Sequence, residues 1–91
     1  VENRQFASGS IIEGTVRSSL VSRQTMVKPG AVVEGSILMA NSEIGEDSLV
    51  KYAILDKNVV VEPGVKIVGT KEQPIVLKKG SHVISDIYGG D

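Results

Sequence analysis

Ser36-Ile37-Leu38, Ser42-Glu43-Ile44, Ser48-Leu49-Val50 and Ala53-Ile54-Leu55 follow one another with a single pattern, a small residue, any residue, then an aliphatic one. Outward from this stretch the pattern runs back through Ala31-Val32-Val33 and Thr25-Met26-Val27, and forward through Val59-Val60-Val61 and Val65-Lys66-Ile67. The aliphatic members are separated by six, five and six residues in rotation, so three steps make a 17-residue register. Val27, Ile44 and Val61 then share one column, Val16, Val33, Val50 and Ile67 a second, and Val21, Leu38 and Leu55 a third. A short fixed period of this kind marks a backbone that coils on itself.

Two inward side chains flanking one outward residue is the alternation of a short strand, and turn formers fill the gaps between strands. Pro29-Gly30 and Pro63-Gly64 occupy one corner, with Glu46-Asp47 at the equivalent place. Proline presets φ for the first central turn position and glycine accepts the positive φ of the second, so Asp47 is expected in the left-handed region. Glu34-Gly35 and Val68-Gly69 mark a second corner, Asn41 and Asn58 a third. Three corners and three sides predict a triangular coil whose equivalent residues lie about 4.8 Å apart and pair as three parallel sheets. The rest of each coil supplies the connection that parallel strands require, so no helix is needed. The fold class is all-β, a single-stranded parallel β-helix of about 17 residues per triangular coil.

At 91 residues the chain is one domain, small for a self-sufficient globular core, and aromatic residues at 3% offer little to build one. A solenoid gains stability coil by coil instead. Residues 1–10 read as an imperfect first coil, 11–83 as the β-helix and 84–91 as a tail, with the whole cut from a longer polypeptide. Gly80, Ser81 and Val83 repeat Gly64, Val65 and Ile67 one position short of a full coil, which predicts a register shortened by one near the end. A formal charge of −1 and no basic cluster larger than Lys78-Lys79 argue against nucleic acid as a partner. No long apolar run or lipidation signal points to a membrane. The absence of cysteine excludes thiolate chemistry and fits a reducing cytoplasm.

A search for catalytic groups yields little. The serines fall in small inward slots where their hydroxyls serve packing, and no histidine base lies within reach. Glycines come singly at corners and precede no helix, so no phosphate loop is present. Glu34, Glu43, Glu46, Asp47, Asp56 and Glu62 are scattered over corners and outward slots as solubilising charges without ligand convergence. What stands out is apolar: in the outward middle position Leu20, Ile37 and Ile54 form one column, and Val32 and Leu49 begin another. Three exposed aliphatic residues on adjacent coils make a stripe that water disfavours, and these five residues are the candidate interface. The stripe would dock another subunit or an N-terminal part of the same polypeptide.

The small-x-aliphatic repeat from Gly14 to Val83 resembles the hexapeptide-repeat family, whose members form left-handed parallel β-helices; that resemblance implies the left hand. Acyltransferases of the family use a histidine base, usually beside a projecting loop, and the only histidine, His82, sits in an outward slot and reads as a surface residue. The carbonic anhydrases of this fold require three metal-ligating histidines. Ile11 to Val16, Ser36 to Met39, Ile44-Gly45-Glu46 and Ala53 to Val59 resemble the C-terminal domain of bacterial glucose-1-phosphate adenylyltransferase. Gly69-Thr70 and Pro74-Ile75-Val76 are closer to the glycogen biosynthesis protein of D type, a partner subunit of the catalytic one. The Val27-Lys28-Pro29-Gly30 corner departs from the Gly-x-Gly turn more usual there.

The resemblance implies a module of an enzyme that makes ADP-glucose and pyrophosphate from ATP and glucose 1-phosphate with magnesium, all catalytic residues and the magnesium lying in an N-terminal nucleotidyltransferase domain outside this sequence. The segment itself is then expected to hold no catalytic, cofactor or metal residue. Its implied partners are that N-terminal domain and other subunits, in a homo- or hetero-oligomer, and its implied roles are assembly and regulation in the cytoplasm. Two alternatives remain open at this point: a fragment of a hexapeptide-repeat acyltransferase with its site between subunits, and a trimerisation prism with no linked enzyme.

Overall fold

The structure, a computed structural model, describes residues 9–89. Fourteen short strands, numbered in chain order, build three parallel sheets and no helix among these residues. The first sheet stacks β1 (Ile11–Ile12), β4 (Met26–Val27), β7 (Glu43–Ile44), β10 (Val60–Val61) and β13 (His82–Val83). The second stacks β2 (Thr15–Arg17), β5 (Val32–Glu34), β8 (Leu49–Lys51), β11 (Lys66–Val68) and β14 (Ile87–Tyr88). The third stacks β3 (Leu20–Val21), β6 (Ile37–Leu38), β9 (Ala53–Leu55) and β12 (Ile75–Leu77). The result is a β-solenoid of about five turns, in a body of 35 × 23 × 23 Å.

The 17-residue register holds residue for residue through the central coils. Val27 pairs with Ile44 and Ile44 with Val61, Val16 with Val33 and Val33 with Val50, and Val21 with Leu38 and Leu38 with Leu55. All of these point inward and are buried. Since each coil can bury its aliphatic residues only against the coils above and below, the core is a stack of three columns running the length of the prism.

The small inward slots do more than fit the narrow part of the triangle. Ser36 Oγ donates to the Glu34 carbonyl (2.9 Å) and accepts the Ala53 N–H of the next coil (3.1 Å). Ser19 does the same with Arg17 and Ser36, and Ser48 with Glu62 and Val65. Each hydroxyl thus satisfies a partly buried corner carbonyl and a buried amide one coil on. The packing role expected for these serines is real, but it is joined by an inter-coil hydrogen bond that spacing alone did not reveal.

The corners adopt the backbone the turn residues demand. Asp47 has φ +59°, beside Gly30 and Gly64 at the equivalent positions, and Asn41 and Asn58 have φ +62° and +59°. At the second corner Gly35 (φ +58°) is flanked by two residues with side chains in the same region, Ser18 (+49°) and Tyr52 (+52°). Gly69 lies outside that region; glycine is required there because a Cβ would sit 2.4 Å from the Tyr52 carbonyl oxygen.

Two expectations about the C-terminal end are corrected. Val83 stands level with Val61, not with Ile67, and Leu77 stands level with Leu55, so the step to this coil is longer than any before it. The repeat is therefore expanded at the corner 69–74 rather than shortened by one, and this corner is a loop longer than the others described. The chain after Val83 is also not a tail: β14 pairs with β11, Ile87 opposite Ile67, and Asp86 Oδ1 accepts the Lys66 N–H at 2.9 Å. The earlier part of the first coil, residues 1–8, and residues 90–91 lie outside the described residues.

Candidate functional site

The third sheet presents one outward residue per coil, and all four are aliphatic. Leu20 stands opposite Ile37, Ile37 opposite Ile54, and Ile54 opposite Val76, which the sequence pattern does not include because the expansion displaces it from the register. Leu20 is 54%, Ile37 38% and Val76 64% exposed, while Ile54 is half-buried. Four stacked strands at about 4.8 Å spacing give a charge-free ridge roughly 14 Å long.

Val32 and Leu49 also stack as expected, on the second sheet, but both are half-buried and the column ends in Thr15 on one side and Lys66 on the other. A further pair not anticipated from the sequence, Ile11 and Met26, lies outward on the first sheet; that column continues with Glu43, Val60 and His82. Among the described residues, only the third sheet keeps an unbroken apolar face.

Beside that face, at the second corner, the chain departs from regular coiling. Residues 69–74 form a closed loop: Thr70 N–H donates to the Gln73 carbonyl (3.3 Å), and Gln73 N–H donates to Thr70 Oγ1 (3.0 Å). Ile75 N–H then donates to the Tyr52 carbonyl at 3.1 Å, which returns the chain to the sheet. Tyr52 lies against Gly35, where a Cβ would come within 2.5 Å of the ring. Between this loop, Tyr52 and the aliphatic ridge lies a groove of about 520 Å³, lined on one side by Ile37, Ala53, Ile54 and Pro74 and on the other by Tyr52, Thr70, Ser18 and the charged Glu34 and Lys71.

The titratable side chains do not assemble into a reaction centre. His82 is exposed on the first sheet and its Nε2 contacts the Glu62 carboxylate one coil earlier, while Lys28 pairs with Glu43 at 3.6 Å. Ser19, Ser36, Ser42 and Ser48 are buried, each hydroxyl engaged with backbone. Among the described residues no three of His, Asp and Glu converge as metal ligands. No helix of the described residues is long and apolar enough to cross a membrane.

Residues 1–82 match the family described as GlmU-like, C-terminal hexapeptide. The chain belongs to that family. It is 47% identical over 68 residues to the glucose-1-phosphate adenylyltransferase of Corynebacterium diphtheriae, covering 74% of this chain and 16% of that protein. It is 46% identical over 67 residues to the enzyme of the same name from Parafrankia, covering 72% and 16%. With the one from Desulfitobacterium hafniense it shares 35% identity over 86 residues, 94% of this chain and 21% of that protein. The hexapeptide chain thus spans about a sixth to a fifth of the length of these relatives. No solved structure matches it.

Proposed function

We propose that this hexapeptide β-solenoid is the C-terminal assembly and regulatory module of a glucose-1-phosphate adenylyltransferase, acting in the cytoplasm in glycogen synthesis. In this reading a separate nucleotidyltransferase domain, with its magnesium, joins ATP and glucose 1-phosphate into ADP-glucose and pyrophosphate. The module contributes a rigid body that holds that domain and neighbouring subunits in a fixed arrangement.

The similarity to three enzymes of that name supports this reading, since it extends over at least 72% of the chain. The observation that carries the non-catalytic role is the contrast between a ridge of four outward aliphatic residues and titratable groups that remain dispersed. Rigid presentation of an apolar face is what a solenoid does well, because every side chain on the face is fixed by pairing to the coil beneath. Gly69-Thr70 and Pro74-Ile75-Val76, the residues that favour the partner type of subunit, build the expansion beside that face.

The test is to compare the parent polypeptide with a version truncated before this module. Truncation is expected to abolish the native oligomer in sedimentation velocity and to remove the response of ADP-glucose synthesis to metabolites. A truncated protein with unchanged assembly and an unchanged response would refute the proposal.

A further inference from the structure

We propose that the groove at the 69–74 corner is a binding site for a neutral pyranoside, its ring seated between Tyr52 and the aliphatic side of the groove and its hydroxyls on Glu34, Thr70 and Lys71. The site is built by this chain alone and does not depend on the assembly reading above.

The corner is made around a residue that its backbone does not favour. Tyr52 holds φ +52°, a region that bulky side chains seldom adopt, while the equivalent corners use Ser18 and Gly35. Winding is satisfied by a serine or a glycine and gives no reason for an aromatic ring. Backbone of this kind persists where its surroundings hold it, and it concentrates at binding positions. The ring occupies the space left by the missing Cβ of Gly35, so its position is set before any ligand arrives. The wall beyond it is set as well, by the Thr70 and Gln73 bonds and by the Ile75 N–H on the Tyr52 carbonyl.

The lining then selects the ligand. A volume of about 520 Å³ falls within the range of small-molecule sites, which join an apolar surface to a few placed polar groups. Ile37, Ile54 and the Tyr52 ring offer surfaces to C–H groups. The Glu34 carboxylate accepts hydrogen bonds and the Lys71 ammonium donates them, while Thr70 Oγ1 accepts the Gln73 N–H and keeps its own proton to donate.

The two charged side chains of the lining are opposite in sign, so an anion gains Lys71 and meets Glu34, and a cation the reverse. A zwitterion meets both favourably, but Lys71 is exposed and Glu34 only half-buried, and ion pairs in such a setting contribute little. Neutral hydroxyls fare better there, because they give up no charge hydration and their hydrogen bonds to charged groups are of the stronger kind. A pyranoside carries C–H groups on both ring faces and hydroxyls around its rim. That is the arrangement the groove complements.

The chain has two tyrosines and no tryptophan, so Tyr88→Phe leaves Tyr52 as the fluorescent reporter. This variant is titrated with maltose and with maltoheptaose, followed by tyrosine fluorescence and by amide chemical shifts. The expected result is a saturable change with half-saturation in the millimolar range, with shifts at Gly35, Tyr52 and Thr70 and none at His82 on the first sheet. Equal affinity for the two assigns the site to a free sugar, and tighter binding of the longer one assigns it to a chain of linked sugars. Adding Glu34→Gln is expected to weaken binding about fivefold. Deleting residues 70–74 is expected to abolish it, with circular dichroism checking the fold; if that deletion does not fold, the Glu34 variant decides. No saturable response to either sugar overturns the proposal. So does a response confined to inorganic phosphate or to free leucine, or a sugar response that survives the substitution at Glu34. Truncation of the parent polypeptide reads assembly alone, so the two proposals stand or fall separately.

Discussion

At the residue scale, the serines of the inward slots show how much one hydroxyl can carry in a coil. Replacing Ser36 by alanine removes the acceptor of the buried Ala53 N–H and the donor to the partly buried Glu34 carbonyl. The expected loss is about 1–3 kcal/mol, the cost of leaving buried polar groups unpaired. Urea denaturation of the isolated chain measures it, and a change below a few tenths would show that water replaces the hydroxyl. Leu38 is fully buried between Val21 and Leu55, so Leu38→Ala leaves a cavity and should cost about 2–5 kcal/mol by the same assay. Gly35→Ala combines a left-handed φ with a Cβ placed 2.5 Å from the Tyr52 ring. The backbone term alone is about 1–2 kcal/mol. Displacement of the ring adds to it, and a change in tyrosine fluorescence should accompany the loss of stability.

At the element scale, the strands are too short to be stable individually and exist because each pairs with the coils on either side. The 69–74 expansion shares less in this mutual dependence: Thr70 and Gln73 bond each other, and only at its ends do the Gly69 and Ile75 N–H groups reach the Lys51 and Tyr52 carbonyls of the coil before. Deleting residues 70–74 would place Ile75 directly after Gly69 and return the step from Leu55 to Leu77 to the length of an ordinary coil. The coil should then close as the earlier ones do, with circular dichroism and the unfolding midpoint little altered, while the groove wall disappears. A chain that fails to fold after this deletion would show that the expansion is required for closing the last coil. The contact of His82 with Glu62, which follows the first-sheet strand one coil earlier, contributes little by comparison, since even exposed ion pairs are worth about 0–1 kcal/mol.

At the scale of the whole molecule, the prism is a stiff rod with one apolar side. Ile37 lies in the middle of that side, between Leu20 and Ile54. Ile37→Asp should leave the isolated chain folded, because the side chain already faces outward. In the assembled parent it would bury an unpaired carboxylate and cost several kcal/mol, about 3–5 kcal/mol by analogy with broken buried pairs. Sedimentation velocity of the full-length variant checks this, and unchanged assembly would remove the third sheet from the interface. Because the coils are joined through nearest neighbours only, damage at one level is felt first by the coils adjoining it.

The winding, the inward columns from Val16 to Ile67, the left-handed corners at Asp47, Asn41 and Asn58 and the outward column Leu20, Ile37 and Ile54 were all legible in the sequence. The physical reason is that a fixed period ties every inward position to a neighbour one coil away, so composition at one level predicts contact at the next. The sequence did not reveal that Val83 belongs with Val61, that Ile87 and Tyr88 form a strand, or that Val76 completes the ridge. Each depends on where the extra residues are absorbed, and a loop has no period by which to locate itself. That the expansion folds against Tyr52, and makes a groove there, is decided by hydrogen bonds between segments distant in sequence, which only the closed tertiary structure brings together.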